Sequence, residues 1–270
     1  MKLIKLKYVK SRIIDWCTKT IIPPEELAVK QAKINDYRML VFANEAVGRQ
    51  IYFYGRYEKQ ETELLSMLIK PEYICFDVGA NIGYFTLLMA SKAVQGHVHA
   101  FEPNSLCYHL LKFNVSFNAY SNVIGNNCAV TNFDGETAFS IESDSAFSHL
   151  NSQVADTLLR NSIVPVISID RYIETSNVPK VDLIKIDVEG AEKLVIMGAA
   201  NLLNDPKRKP KTIMMEVVDE HLRKFSTSTS EIIDILVKYD YEAMKCVNKK
   251  LIPLGKTNIQ NYTNIFFLSR

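Results

Sequence analysis

Phe76-Asp-Val-Gly-Ala-Asn-Ile-Gly-Tyr-Phe85 is the stretch on which the reading of this chain turns. Tyr73–Val78 is a short apolar run, which predicts a buried strand, and a carboxylate, Asp77, stands at its end. The chain then turns through two glycines into a helix predicted over Tyr84–Ser91. Glycine lets the backbone turn tightly and lets a ligand approach where a Cβ would block it. Gly79 and Gly83 lie four positions apart, whereas the dinucleotide fingerprint GxGxxG has its first two glycines two apart. Asp77 can accept a hydrogen bond from an ammonium group, and free backbone amides at a helix start can hold a carboxylate. An amino-acid tail carries both charges.

Three further segments extend this reading. His99-Ala-Phe-Glu-Pro103 closes the next predicted strand, His97–Phe101, and places Glu102 23 positions after Gly79. An acid there can accept from both hydroxyls of a ribose. Asn126-Asn-Cys-Ala-Val130 ends a third strand predicted over Val123–Val130, where polar side chains can meet an adenine edge. Ile184-Lys-Ile-Asp-Val-Glu-Gly-Ala-Glu192 puts Asp187 at the end of a buried strand, Val181–Asp187, and so in the same crevice. Open parallel sheets bind ligands outside the carboxyl ends of their strands. Glu189 and Glu192 would begin a helix over Glu189–Leu203, where the macrodipole favours acids. Asp187, Glu189 and Glu192 could also chelate a cation, but no histidine or cysteine joins them, and no metal is expected.

Outward from these motifs, strands and helices alternate from Tyr73 onward, which predicts an α/β fold: a mostly parallel sheet with helices on both faces. Asn104 can cap a helix to about Asn118, with Leu106, Leu110, Leu111 and Phe113 on one face. Glu136–Ile141, Val164–Ser168 and Thr212–Val217 read as strands, Ile169–Thr175 and Ser230–Tyr239 as helices, and Tyr241–Val247 with Asn264–Leu268 as a closing pair. Ser143–Asn161 reads as a polar surface excursion. Residues 1–70 are expected to form an N-terminal extension packed on a domain over 71–270. In it, Arg38–Ala43 and Gln50–Tyr54 flank Asn44–Gly48 as a hairpin, and Glu58–Ile69 carries apolar residues at helical spacing.

Composition narrows the classes. The 270 residues are 47% hydrophobic and 23% charged, as a globular protein with a full core requires, and the formal net charge of +2 gives no sign of a nucleic-acid partner. The five cysteines are scattered, without a CxxC pair, so a zinc site or disulfide framework is not expected and a reducing cytoplasm fits best. No apolar run is long enough to span a membrane. The basic, apolar-interleaved start, Met1 to Arg12, reads as an arm packed on the domain, with a weak membrane-surface contact as the lesser alternative.

The four motifs resemble the FkbM family of S-adenosylmethionine-dependent methyltransferases, in that family's order and spacing, over roughly Gly55 to Val217. The resemblance implies a class I methyltransferase (Rossmann-like) sheet of seven strands, mostly parallel, with a C-terminal antiparallel strand. It implies S-adenosyl-L-methionine as cofactor and transfer mostly to hydroxyl groups, often on sugars or natural products. Position by position, it assigns Asp77, Gly79, Ala80, Asn81 and Gly83 to the cofactor loop and Glu102, with Pro103, to the ribose. It assigns Asn127, Cys128 and Ala129 to the adenine side, Cys128 standing where the family usually has alanine, and Asp187 and Glu189 to the methyl donor. Tyr54-Gly-Arg-Tyr-Glu58, with Glu61 and Thr62, resembles the family's entry to its first helix and is expected to help close the pocket.

A hydroxyl acceptor calls for a general base. Asp187, Glu189 and His149 are the candidates; His221, after the strand Thr212–Val217, lies near the ligand edge, while His97, His99 and His109 read as structural. The partner expected is a small molecule or glycan. A nicotinamide-dependent oxidoreductase and a non-catalytic cofactor-binding protein are the rival readings, opposed respectively by the glycine spacing and by the intact Asp187 segment.

Overall fold

The computed structural model describes residues 28–34, 37–140, 149–150, 161–255 and 264–270. The basic arm and most of the polar excursion 143–161 lie outside them. The chain divides into two compact units, Met1–Tyr57 and Glu58–Arg270. The division falls ahead of residue 70 because the helix Lys59–Leu68 packs on the helix Tyr84–Lys92 and the strand Tyr241–Val247.

In the first unit, strands β1 (Val29–Ile34) and β2 (Tyr37–Phe42) pair antiparallel, and helix α1 (Ala46–Tyr54) follows. The expected hairpin therefore lies one element earlier, and Gln50–Tyr54 is helical. The Asn44 side chain accepts from the Ala28 amide at 3.1 Å and so holds the corner, and Gly48 sits where a Cβ would be 2.2 Å from the Phe42 carbonyl oxygen. That close packing of helix start on strand end is open only to glycine.

In the second unit, helix α2 (Lys59–Leu68) precedes β3 (Ile74–Val78), α3 (Tyr84–Lys92), β4 (His97–Phe101), α4 (Ser105–Phe117) and β5 (Val123–Asn126). Strands β6 (Ala129–Val130), β7 (Gly135–Ser140), β8 (His149–Leu150) and β9 (Asn161–Ile167) come next, then α5 (Ile169–Thr175) and β10 (Leu183–Ile186). Helices α6 (Glu192–Met197) and α7 (Ala200–Asn204) lead to β11 (Thr212–Glu216), α8 (Asp219–Lys224) and α9 (Thr229–Lys238). Strands β12 (Tyr241–Val247), β13 (Lys250–Pro253) and β14 (Asn264–Ser269) complete the order.

The main sheet has eight strands in the order β13-β12-β14-β11-β10-β3-β4-β5. The five from β11 to β5 are parallel, and the pairings of β11 with β14, β14 with β12 and β12 with β13 are antiparallel. The class I architecture stands, with one strand more than the seven expected. The extra edge strand, β13, folds back on β12 through Asn248 and Lys249, both at positive φ (50° and 63°), the conformation a two-residue hairpin turn demands. The chain moves outward from β3 through β4 to β5, then returns to β10 on the other side of β3. That reversal opens a crevice at the carboxyl ends of β3 and β10.

Three other readings are corrected. Val123–Val130 is two strands in two sheets: β5 edges the main sheet, and β6 joins a four-stranded sheet in the order β6-β9-β7-β8. The break falls at Asn127, whose amide donates to the carbonyls of Glu102 (2.8 Å) and Pro103 (3.2 Å) and pulls the backbone out of line. Glu189–Leu203 is not one helix, because Glu189 and Gly190 take positive φ (54° and 111°) before α6 begins. Leu106 and Phe113 of α4 are exposed, and Cys107, Leu111 and Asn114 face inward instead. Among the described residues no helix is long and apolar enough to cross a membrane.

One face of the sheet centre carries an aromatic cluster of Phe76, Phe101 and Tyr172, with ring centroids 4.7–5.7 Å apart. His99 is buried beside it, and its Nδ1 lies 2.7 Å from the Tyr172 hydroxyl. Burial lowers the His99 pKa to about 4, so the ring is neutral and accepts from Tyr172, which in turn accepts from the Asn126 amide at 3.3 Å. Tyr172→Phe leaves that nitrogen without its donor. It should cost about 1–3 kcal/mol of stability, read as a lower urea midpoint with an unchanged slope.

Candidate active site

The crevice is built by two turns that press on each other. The first follows β3, with Gly79, Asn81 and Gly83 all at positive φ (77°, 49° and 94°). The second follows β10. A Cβ on Gly79 would lie 1.8 Å from the Asp187 carbonyl oxygen, so the loops meet backbone to backbone. The Asp187 amide extends the ladder by donating to the Val78 carbonyl at 3.0 Å.

The glycine loop is satisfied largely from within. The Gly79 and Ala80 amides both donate to the Phe101 carbonyl (3.0 Å each), and the Gly83 amide donates to Ala80 (2.9 Å). The Asn81 amide donates to Glu102 Oε2 at 2.7 Å, and the Ile82 amide to Asn81 Oδ1 at 2.6 Å. Contrary to the sequence expectation, these amides are not free to receive a carboxylate. Three positive-φ residues curl the loop so that its N–H groups turn toward β4 and its own side chains.

Asp77 also differs from expectation. It is wholly buried, and its Oδ2 accepts from the Thr86 hydroxyl at 2.6 Å. Burial raises its pKa, against the lowering effects of Lys185 and Thr86. It therefore faces Lys185 across the strand pair rather than the open crevice.

Glu102 is buried at the end of β4. Besides Asn81, it accepts from the Asn104 amide at 2.8 Å through Oε1, and burial pushes its pKa up to about 7. Each carboxylate oxygen has a second lone pair, so these bonds leave acceptor capacity for a diol. Pro103 and Asn127 lie beside it, joined through the Asn127 amide, and Cys128 and Ala129 continue into β6. Burial raises the Cys128 thiol to about 11 and keeps it protonated.

Beyond Asp187 the residues crowd carboxyl groups together. Asp187, Glu189 and Glu216 each bring an oxygen within 4.8 Å of the others, a set able to hold a hard cation. The third acid is Glu216, not Glu192. Glu192 turns back instead, accepting from the Gly190 amide at 3.1 Å and the Val188 amide at 3.3 Å, and so fixes the turn. Burial, then Asp187 and Glu189, drives the pKa of Glu216 far up, so it stays protonated and donates to Asp187. Glu58, ahead of α2, accepts from the Asn264 amide at 2.8 Å, and burial and Asp187 raise it to about 7.

Glu189 Oε2 lies 2.5 Å from Nδ1 of His221, and burial and Asp187 raise the Glu189 pKa to about 8. Gly190 permits the approach, since a Cβ there would be 2.5 Å from the His221 carbonyl oxygen. The backbone of His149 pairs with Ser140 in β8, and its side chain lies outside the described residues.

Lys185, Glu216 and the Glu189–His221 contact were missed or passed over in the sequence. Lysine between two isoleucines of a buried strand was a readable signal, as was an acid at the carboxyl end of a parallel strand.

The sequence model of the methyltransferase FkbM domain matches residues 77–243, more than half of the chain. The hexuronic acid methyltransferase AglP of Haloferax volcanii is 30% identical over 148 residues, 55% of this chain and 59% of that protein. The methyltransferase sdnD of Sordaria araneosa is 28% identical over 151 residues, 45% of this chain and 58% of that protein. The chain thus spans less than two thirds of either relative. Among solved structures, SMU.1697c of Streptococcus mutans, in complex with SAH, has a TM-score of 0.46 at 10% identity, covering 80% of this chain and 98% of that one.

The raised carboxyls set a pH dependence. Glu58, Glu102 and Glu192 titrate near 7 and Glu189 near 8 in the folded chain, against 4.5 unfolded. Above the unfolded value, the folded state holds protons that the unfolded chain has released, so rising pH favours unfolding. His99, with folded pKa about 4 against 6.5, acts oppositely but only below that value. The ligand-free protein should therefore lose stability from about pH 5 to about pH 8, the four acids outweighing the one histidine below pH 6.5. A urea midpoint that stays level or rises over that interval would contradict the assignment.

Proposed function

The chain belongs to the methyltransferase FkbM domain family, and from that premise we propose that it transfers a methyl group from S-adenosyl-L-methionine to a hydroxyl of an uncharged, hydroxyl-rich acceptor such as a sugar ring or a natural product. The observation that carries the proposal is the meeting of the Gly79 loop and the Asp187 turn at the strand reversal, with Glu102 one strand away. Glu102 accepts the ribose diol through its remaining lone pairs, Asn127 to Ala129 border the adenine, and Asp187 faces the amino-acid tail.

The chemistry follows from the donor. The acceptor oxygen forms a bond to the methyl carbon as the carbon–sulfur bond breaks, and the sulfonium leaves as a neutral thioether. The donor is already activated, so the protein's work is alignment. The hydroxyl proton passes to a base, and the Glu189–His221 pair, at 2.5 Å, is suited to take it.

Charge supports the choice of acceptor. Glu58, Asp187, Glu189 and Glu216 crowd one end of the crevice, and Glu58 and Glu189 already have raised pKa values partly through repulsion by Asp187. A further carboxylate on the acceptor would meet the charge of Asp187 and push the neighbouring acids still further from ionisation. A hydroxyl group can donate to any of these oxygens.

Two measurements test the proposal. Calorimetric titration should show binding of S-adenosylhomocysteine and none of NADH; the reverse result would sink the cofactor assignment. In competition between a neutral hexoside and its matching uronate, methyl incorporation from labelled donor should favour the neutral sugar by about tenfold or more, the worth of about 1.4 kcal/mol. Equal incorporation, or preference for the uronate, would refute the acceptor class.

A further inference from the structure

Lys185 stands in the middle of β10 between Ile184 and Ile186 and is 4% exposed. Parallel register sets it beside Asp77 of β3, and its Nζ lies 5.2 Å from the centre of the Phe85 ring of α3. A lysine so placed is tolerated only where its charge and its three N–H donors are matched. Here Nζ donates to Asp187 Oδ2 at 3.0 Å and to the Gly79 carbonyl at 3.2 Å, and stands 3.8 Å from Asp77 Oδ1. That Asp77 oxygen is buried and has no hydrogen-bond partner among the described residues. The three oxygens belong to three segments, the end of β3, the glycine loop and the turn after β10, and one ammonium draws them together.

One ammonium between two carboxylates leaves a net negative charge beside the glycine loop. The Gly79 carbonyl and Asp187 also keep lone pairs that Lys185 does not use. That is the complement of a second ammonium group. We propose that Lys185 is a positioning residue, which holds Asp187 and the Gly79 carbonyl in place as a ready-made seat for the ammonium of the cofactor's amino-acid tail. This rests on the reading that the cofactor is S-adenosylmethionine. Without Lys185, the buried Asp77 and the half-buried Asp187 face each other with no cation between them, and Asp187 loses the cation that orients it. The nucleoside side of the site is held by other bonds, from Glu102 to the Asn81 and Asn104 amides and from Asn127 to Glu102 and Pro103, and does not pass through Lys185.

Two ligands separate this role from simple packing: S-adenosylhomocysteine, and the same thioether lacking its α-amino group. Calorimetry on the full chain should show Lys185→Met weakening the first by about tenfold or more and the second by no more than about threefold, a difference of about 0.7 kcal/mol or more. Loss of packing alone would weaken both equally. Equal losses, no loss, or a gain for S-adenosylhomocysteine would overturn the inference. Should Lys185→Met fail to fold by circular dichroism, Asp77→Asn decides. It keeps the shape beside Thr86 and removes one of the two carboxylate charges around Lys185, which leaves the net negative charge beside the glycine loop neutralised, so the same contrast is expected, and equal losses would overturn the inference there. Wild-type protein that bound neither ligand would remove the cofactor reading itself, and this inference with it.

Discussion

The site depends on one steric constraint: the backbone of the Gly79 loop and the backbone of the Asp187 turn occupy adjoining space with no room for a side chain between them. A Cβ at Gly79 would come within 1.8 Å of the Asp187 carbonyl oxygen. Neighbouring parallel strands release their loops on the same edge of the sheet, and the reversal of strand order at β3 and β10 parts the helices that follow. The two turns can then close on each other while leaving a crevice outside them. Lys185 reaches across the seam, and Glu192 folds back to hold the second turn by its amides.

The second constraint is electrostatic. Seven acids, Glu58, Asp77, Glu102, Asp187, Glu189, Glu192 and Glu216, gather at the carboxyl edge of the sheet, and Lys185 is the cation set deepest among them. Burial alone would lower the pKa of that lysine; Asp187 and Asp77 outweigh it and hold it raised. The carboxyls are retained by specific bonds: Glu102 and Glu192 each accept from two backbone amides, Glu58 accepts from Asn264, and Glu216 stays protonated against Asp187. Such a site is costly when empty, because each desolvated carboxyl resists ionisation. A ligand bearing an ammonium and a sulfonium offsets that cost on binding.

Local rules misjudged residues whose partners lie far along the chain. Glu189 reads as a helix-start acid, yet a left-handed turn takes it out of the helix and brings it to His221, 32 positions later. Asn127 reads as a strand residue, yet its amide is claimed by carbonyls of Glu102 and Pro103. The glycine loop reads as a row of open amides, but Phe101 and Glu102 of the next strand have already taken them. In each case a side chain or carbonyl from another segment competed with the local preference and won.

By itself the sequence determined the main alternation of strands and helices from β3 onward, though not β6, β8, β13 or α8, together with the strand-end positions of Asp77, Glu102 and Asp187 and the glycine turn between β3 and α3. These follow from short-range periodicity and from the conformations only glycine adopts freely. Tertiary structure alone decided which acids meet. Glu58, Glu189 and Glu216 converge on Asp187 because the start of α2, the turn after β10 and the end of β11 share one edge of the sheet. It also decided that Asp77 faces Lys185 across two strands whose register no local pattern encodes. Charge and hydrogen bonding act through space, and pairings separated by about a hundred residues exist only once the strands are laid side by side.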